Sequence, residues 1–269
     1  MPIGFRIAPD DEWASHIENV RTAQSTACYG ALAAHFGTDS PKILERRVDE
    51  HRPRDQIDFT NKYRRWREGS APNKVSVAHI HARTAGAVRL DFWRDLPLWE
   101  LLAPQSPPMP RLLRLLENAS PNVRRILLRD GCGVQQGRFN HSPPTRAQLL
   151  AIRNLRSLDA FIALLCLARK GEQMEDDTQH FLPSACAYDI FARILYTYRP
   201  LRYRREGLFA CIERLYWNRV YMNGLYVDFP IEAIRLNLTQ LDANPSTPLA
   251  EKSGRRLRRS SNDSMFEQD

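Results

Sequence analysis

The chain has no Cys-x-x-Cys pair, no apolar run of membrane-spanning length and very little lysine. Its five cysteines, Cys28, Cys132, Cys166, Cys186 and Cys211, are odd in number and widely spaced, so neither a disulfide framework nor a zinc site is indicated. A reducing cytoplasm is the expected setting. A bilayer span needs roughly 20 apolar residues, and the densest stretch, Phe161 to Ala168, is far shorter and reads as a buried helix face. Asp10, Asp11 and Glu12 stand where a signal peptide would need a cationic start and an apolar core, and no contact with a membrane is expected. No internal repeat is present. The run Gly131-Cys132-Gly133-Val134-Gln135-Gln136-Gly137 shares only its glycines with a phosphate-cradling loop, lacking both the Lys-Ser/Thr ending and a preceding strand.

Signs of chemistry are equally sparse. His79 and His81 lie two apart on an expected helix, about 200 degrees around its axis, and do not share a metal. Glu172, Glu175, Asp176 and Asp177 form an acidic run between helices, usually a solvated feature. Cys132, flanked by glycines, is the one thiol that reads as exposed, and its activation would need a cation such as Arg129. No Ser, Cys or His stands in a recognisable nucleophile context. The expectation is a non-catalytic protein without cofactor or metal, with an enzyme or toxin whose catalytic set is assembled across distant helices as the less favoured alternative.

What the chain does have is positive charge. Lys and Arg number 39 against 31 Asp and Glu, for a formal net charge of +8, and 34 of the 39 are Arg. Such a balance favours anionic partners, above all nucleic acid. Arg is also the side chain suited to bidentate phosphate and guanine contacts, although codon usage in a GC-rich genome produces the same bias.

Hydrophobic spacing at three to four residues recurs along the chain and predicts an all-α fold. Residues 1–102 read as an N-terminal helical module, 103–110 (APQSPPMP) as a Pro-rich linker, 111–243 as a C-terminal helical domain and 244–269 as a disordered basic tail. Within the module, one or two short helices are expected around a break at Gly30. Ser40-Pro41 opens a helix that Arg52-Pro53 ends, and another starts near Asp55 or Asp58 and stops at Glu68-Gly69. The next carries Val75, Ala78 and Ala82 on one face, with Val77 and Ile80 beside it. In the C-terminal part, helices are expected over 111–118 and 121–129, from Thr145 to just before Gly171, over 183–198, over 206–222 and over 231–241, with an Asn223-Gly224 turn leading into an extended piece at 225–229.

The most informative segment is Phe59 to Thr84. Phe59, Tyr63 and Trp66, at i, i+4 and i+7, form an apolar stripe that holds a helix down, while Asn61, Lys62, Arg64, Arg65 and Arg67 project elsewhere. Tyr63-Arg64-Arg65-Trp66-Arg67-Glu68-Gly69, followed by Pro72 and the apolar Val77 and Ile80, resembles the second half of a Cro/C1-type (XRE-like) helix-turn-helix domain. The resemblance covers 59–84 only; the Gln- and Ala-rich scaffold helix expected before it is replaced by the charged 42–54. It implies that the helix ending at Glu68 enters the major groove of double-stranded DNA. Thr60, Asn61 and Arg64 would then be the base-edge candidates, and Lys62, Arg65, Arg67 and Lys74 would neutralise phosphates. Without DNA binding, Tyr63 and Trp66 are core residues and the arginines a solvated face. The C-terminal domain is then the expected contact for self-association or another protein. There, the aromatic set Tyr196, Tyr198, Tyr203, Tyr216, Trp217, Tyr221 and Tyr226, interleaved with arginines, either stacks on a partner or forms core.

Overall fold

The computed structural model describes residues 10–49, 61–127, 143–203, 205–217, 221–222, 225–244 and 256–259. Among them the protein is all-α in class, with thirteen α-helices and one small antiparallel sheet. The expected glycine loop at 131–137, with Cys132 and Arg129, lies outside the described residues, as do Phe59, Thr60 and the Asn223-Gly224 turn.

The chain forms two compact units. The first comprises Ala8–Pro104 and Thr197–Cys211, the second Gln105–Tyr196 and Ile212–Asp269. The division at 104–105 falls inside the Pro-rich piece. Thr197–Cys211, placed by sequence with the C-terminal domain, belongs to the first unit.

The first unit is built around α1 (Asp10–Phe36), a single 27-residue helix that runs through Gly30 without the expected break. Gly30 serves packing: a Cβ there would lie 2.5 Å from the Tyr203 ring and 3.0 Å from the Pro200 backbone. Those residues belong to the returning segment, whose 3-10 turn Arg199–Arg202 packs on α1. Buried on several sides, α1 shows no simple apolar stripe in its sequence. Around it lie α2 (Pro41–Asp49), α3 (Lys62–Glu68), α4 (Lys74–Arg83), α5 (Leu90–Arg94) and α6 (Pro97–Leu101). Their core includes Tyr29, Leu32, Leu44, Val48, Tyr63, Trp66, Ile80 and Leu90.

Local signals explain several boundaries. The Ser40 carbonyl accepts from the Ile43 and Leu44 amides to start α2. Asn73 caps α4 by accepting from the Ser76 amide at 2.8 Å. Gly69, at φ 117°, closes α3: its N–H bonds the Trp66 carbonyl and the Ser70 N–H bonds that of Arg65, the paired pattern of a left-handed C-terminal stop. The inward face of α4 differs from expectation. Val75 is 76% exposed and Ala78 and Ala82 are exposed, whereas Ile80 is buried. The larger Ile80 and Val77 outweigh two alanines in deciding which side faces the core.

The second unit contains α7 (Met109–Glu117), α8 (Pro121–Leu127), α9 (Arg146–Asn154), α10 (Leu158–Gln173), α11 (Asp177–Thr197) and α13 (Ile231–Ala243). Between the last two run α12 (Arg205–Ile212), mostly in the first unit, and a π-helical turn Glu213–Trp217. The expected long helix after Thr145 is two helices. Arg156 turns left-handed at φ 49° and Ser157 caps a fresh start by accepting from the Ala160 amide. Helix α11 begins at Asp177 instead of Pro183, because Asp176 accepts from the Gln179 amide at 2.9 Å and supplies an earlier cap. The expected helix to 222 gives way to β1 (Tyr221–Met222), which pairs with β2 (Leu225–Asp228) in the register Met222↔Leu225. The 244–269 stretch, expected to be disordered, contributes β3 (Arg256–Arg259), antiparallel to β2 with Val227 opposite Leu257. An α10–α11 core with Phe161 stacked on Phe191 at 5.1 Å completes this unit.

Candidate functional site

Helix α3 has seven residues, about 10 Å of axis at 1.5 Å per residue. Lys62, Tyr63 and Trp66 face inward and Arg64, Arg65 and Arg67 outward. The aromatic pair is anchored edge-to-face at 5.2 Å. The Ser25 hydroxyl on α1 donates to the Trp66 carbonyl at 3.1 Å and to the Ser70 carbonyl at 2.5 Å. A Cβ on Gly69 would come within 2.8 Å of Thr22 Oγ1, so α3 ends pressed against α1.

The inward face contains a charge that sequence reasoning placed outside. Lys62 Nζ lies 2.7 Å from Asp49 Oδ2, the two side chains 8% and 2% exposed. Asp49 also accepts from Tyr63 Oη at 3.3 Å and meets His79 Nε2 at 3.0 Å. One buried carboxylate at the end of α2 thus joins α3 to α4. Lys62 is therefore turned inward and paired, where the sequence reading had it project outward. It lies four residues before Trp66, about 40 degrees away around the helix, and so shares the buried side. A faint signal existed: an Asp in the last turn opposes the helix dipole and calls for a compensating partner.

Of the other expected site residues, Thr60 lies outside the described residues and Asn61 precedes α3 with a left-handed φ of 55° and an exposed side chain. Arg64 Nε bonds Glu68 Oε1 at 2.9 Å on the solvent side, and this bond raises the Arg64 pKa further. Arg65 is exposed. Burial raises the Tyr29 pKa and the nearby Arg67 charge counters it, and the Tyr29 hydroxyl donates to the Asp39 carbonyl at 2.6 Å. Tyr203 also donates to the Asp39 carboxylate. Lys74 lies toward Asp95, whose pKa is lowered mainly by the Arg94 hydrogen bond and to a smaller degree by Lys74.

Arg64 and Arg67 border an open cleft of about 500 Å³ with Asn61 and Tyr63 on the α3 side and Ser40, Pro41, Lys42 and Glu45 from the start of α2 on the other. Lys42 and Glu45 escaped the sequence reading because they join the site only when α2 packs beside α3. The structure brings together Asn61, Arg64 and Arg67 from the expected set; Arg65 and Lys74 do not line this cleft. A smaller hollow of about 190 Å³ lies between α3 and α4, lined by Trp66, Ile80, Lys62 and His79 among others.

No family model matches this chain, and no curated protein or solved structure does. Geometry and chemistry therefore carry the functional reading. Short α3, held along one side by the core, offers arginines to a partner more readily than a continuous reading face.

Other polar groups are internal. In the second unit Arg169, fully buried, bonds Glu172 at 2.6 Å and lies over the Tyr216 ring at 5.5 Å. His180 stacks on Tyr216 at 6.1 Å and meets the Ala168 carbonyl at 3.1 Å through Nδ1. Burial, partly offset by Arg169, pushes the Tyr216 pKa up. This cluster joins α10, α11 and the π-helical turn. Tyr216 and Trp217, in the interleaved aromatic set, are both core. Among the described residues no group of His, Cys, Asp and Glu is arranged to hold a metal, and no helix is long and apolar enough to cross a membrane.

Proposed function

We propose that the first unit binds nucleic acid without catalysis, gripping the sugar-phosphate backbone. The observation that supports this is the cleft where Lys42, Arg64 and Arg67 converge with the Asn61 amide. The part of the DNA-binding expectation carried forward is phosphate contact by Arg67; Arg64, expected at a base edge, is reassigned to the backbone, and Lys42 joins them. Base-edge reading in a major groove is not carried forward, because α3 is short and its inner side is committed to Asp49 and α1. Arginine suits the role through its bidentate, permanently charged fork. Arg64 is already oriented by Glu68, which lowers the ordering cost of binding. A cytoplasmic setting accompanies this reading; the four described cysteines are buried free thiols.

Fluorescence anisotropy with short labelled oligonucleotides across a salt series tests the reading. For a single strand, each phosphate contact contributes about 0.7 to the slope of log affinity against log salt. Replacing Lys42, Arg64 and Arg67 together by Ala should flatten the slope by about 2. An unchanged slope with an unchanged circular dichroism spectrum refutes the proposal.

A further inference from the structure

The cleft contains one group that phosphate binding alone does not explain. Glu45 lies in it with Lys42, yet neither side chain makes a hydrogen bond or ion pair with another described residue. A carboxylate only accepts hydrogen bonds when ionised, and beside a phosphate it repels unless the ligand brings a donor. The Asn61 side chain, which makes no cap bond to α3, supplies both an amide donor and an acceptor. The matching ligand thus carries an anionic group and a hydroxyl within the span of the cleft. A ribonucleotide unit has this pairing, with its phosphate a short distance from the 2′-hydroxyl that distinguishes RNA from DNA. The cleft volume, about 500 Å³, lies in the range of small-ligand sites. Such a concavity admits one unit of a flexible strand, whereas a duplex presents a convex surface to it. Tyr63, the one aromatic in the lining, is 1% exposed, so no ring is available on which a base would stack.

We infer that the cleft selects single-stranded RNA over DNA, with Arg64, Arg67 and Lys42 on the phosphate and Glu45 accepting the ribose 2′-hydroxyl. Selection is for the sugar and not for base sequence. The inference rests on the nucleic-acid reading above and deepens it.

The test compares three labelled single strands of one unstructured sequence, as RNA, DNA and 2′-O-methyl RNA, binding to the full chain and to Glu45→Ala. A hydrogen bond to a charged acceptor predicts RNA binding about tenfold tighter than DNA. The 2′-O-methyl strand keeps the RNA-like sugar pucker but has no donor, and should bind as DNA does. Glu45→Ala should abolish the preference, weakening RNA and strengthening DNA, because the acceptor and the repulsion leave together. Equal RNA and DNA affinity in the wild type overturns the sugar selection while leaving backbone binding in place. Tight 2′-O-methyl binding, or a preference surviving in a folded Glu45→Ala protein, also overturns it. Failure of all three strands to bind removes the inference and the backbone reading together.

Discussion

Replacing Asp49 by Asn is the most direct probe of how the cleft is held in shape. The substitution preserves volume but leaves the Lys62 ammonium, 8% exposed, without its counter-charge at 2.7 Å. Two unit charges about 4 Å apart attract by about 4 kcal/mol at an effective dielectric constant of 20, and breaking one side of a buried pair typically costs about 3–5 kcal/mol. Lys62 borders the hollow between α3 and α4, where its flexible stem gives the ammonium a route toward water, so a loss of about 3 kcal/mol is expected. That is a large fraction of the roughly 5–15 kcal/mol that stabilises a domain.

Because the chain has two units, a single unfolding curve averages both. Urea unfolding should be combined with hydrogen exchange on the α3 and α4 amides, which isolates the affected region. Lys62→Met and the double variant Asp49→Asn/Lys62→Met complete a cycle. Asp49→Asn strands the Lys62 ammonium and Lys62→Met leaves the Asp49 carboxylate with only Tyr63 and His79, whereas the double variant strands neither charge, so it should be more stable than the sum of the single losses by about 2 kcal/mol. Additivity within about 0.5 kcal/mol, or α3 protection unchanged in Asp49→Asn, refutes the assignment of Asp49 as the junction of α2, α3 and α4.

Two further outcomes follow from the packing and the titrations. Gly171→Ala would place a Cβ 2.4 Å from the His180 nitrogen and 2.5 Å from the Gln179 carbonyl carbon, both backbone atoms that do not swing aside; a loss of about 3 kcal/mol or more is expected by thermal or urea unfolding, and a neutral result refutes the close approach of α10 to α11. Burial pushes the Cys28 thiol from its ordinary 9 to about 12 and raises Tyr203 and Tyr216 in the same direction. A raised folded pKa means that the unfolded chain loses its proton first, so this contribution is intact below pH 9, declines as pH rises and is lost on passing about 12. Urea midpoints measured from neutral pH upward should fall across that window, and a flat profile would contradict the burial of these groups.

The readable parts of the sequence were those where a few neighbouring residues settle the matter. Ser40-Pro41, Gly69, Thr145 and Ser120-Pro121 mark helix ends through caps and stops that need no distant partner. The parts misread are decided by contacts remote in sequence. Gly30 looked like a break because its role is to admit Tyr203 and Pro200. Pro183 looked like a first turn, but it sits inside α11, where it denies the Gln179 carbonyl a helical donor beside the close approach of Gly171. Of the site, the exposed arginines of α3 were legible from the Tyr63 and Trp66 stripe, whereas Lys42 and Glu45 were not, since no spacing rule relates them to a helix about twenty residues on.

On the proposed reading, the two sides of α3 separate holding from binding. Lys62, Tyr63 and Trp66 fix the helix through Asp49 and Ser25, while Arg64 and Arg67 reach the cleft from the other side. Residues two apart on a helix point about 200 degrees apart, so Lys62 and Arg64 cannot exchange roles without rotating the helix and exposing Trp66. The ion pair is thus a device for orientation as much as for stability: it consumes one of the helix's four basic residues and sets the direction of the other three. Asp49→Asn should accordingly loosen α3 and weaken backbone binding together, whereas Arg67→Ala should weaken binding while leaving α3 protection largely as it was. A variant of the first kind that lost protection but kept full affinity would show that the cleft does not depend on how α3 is held.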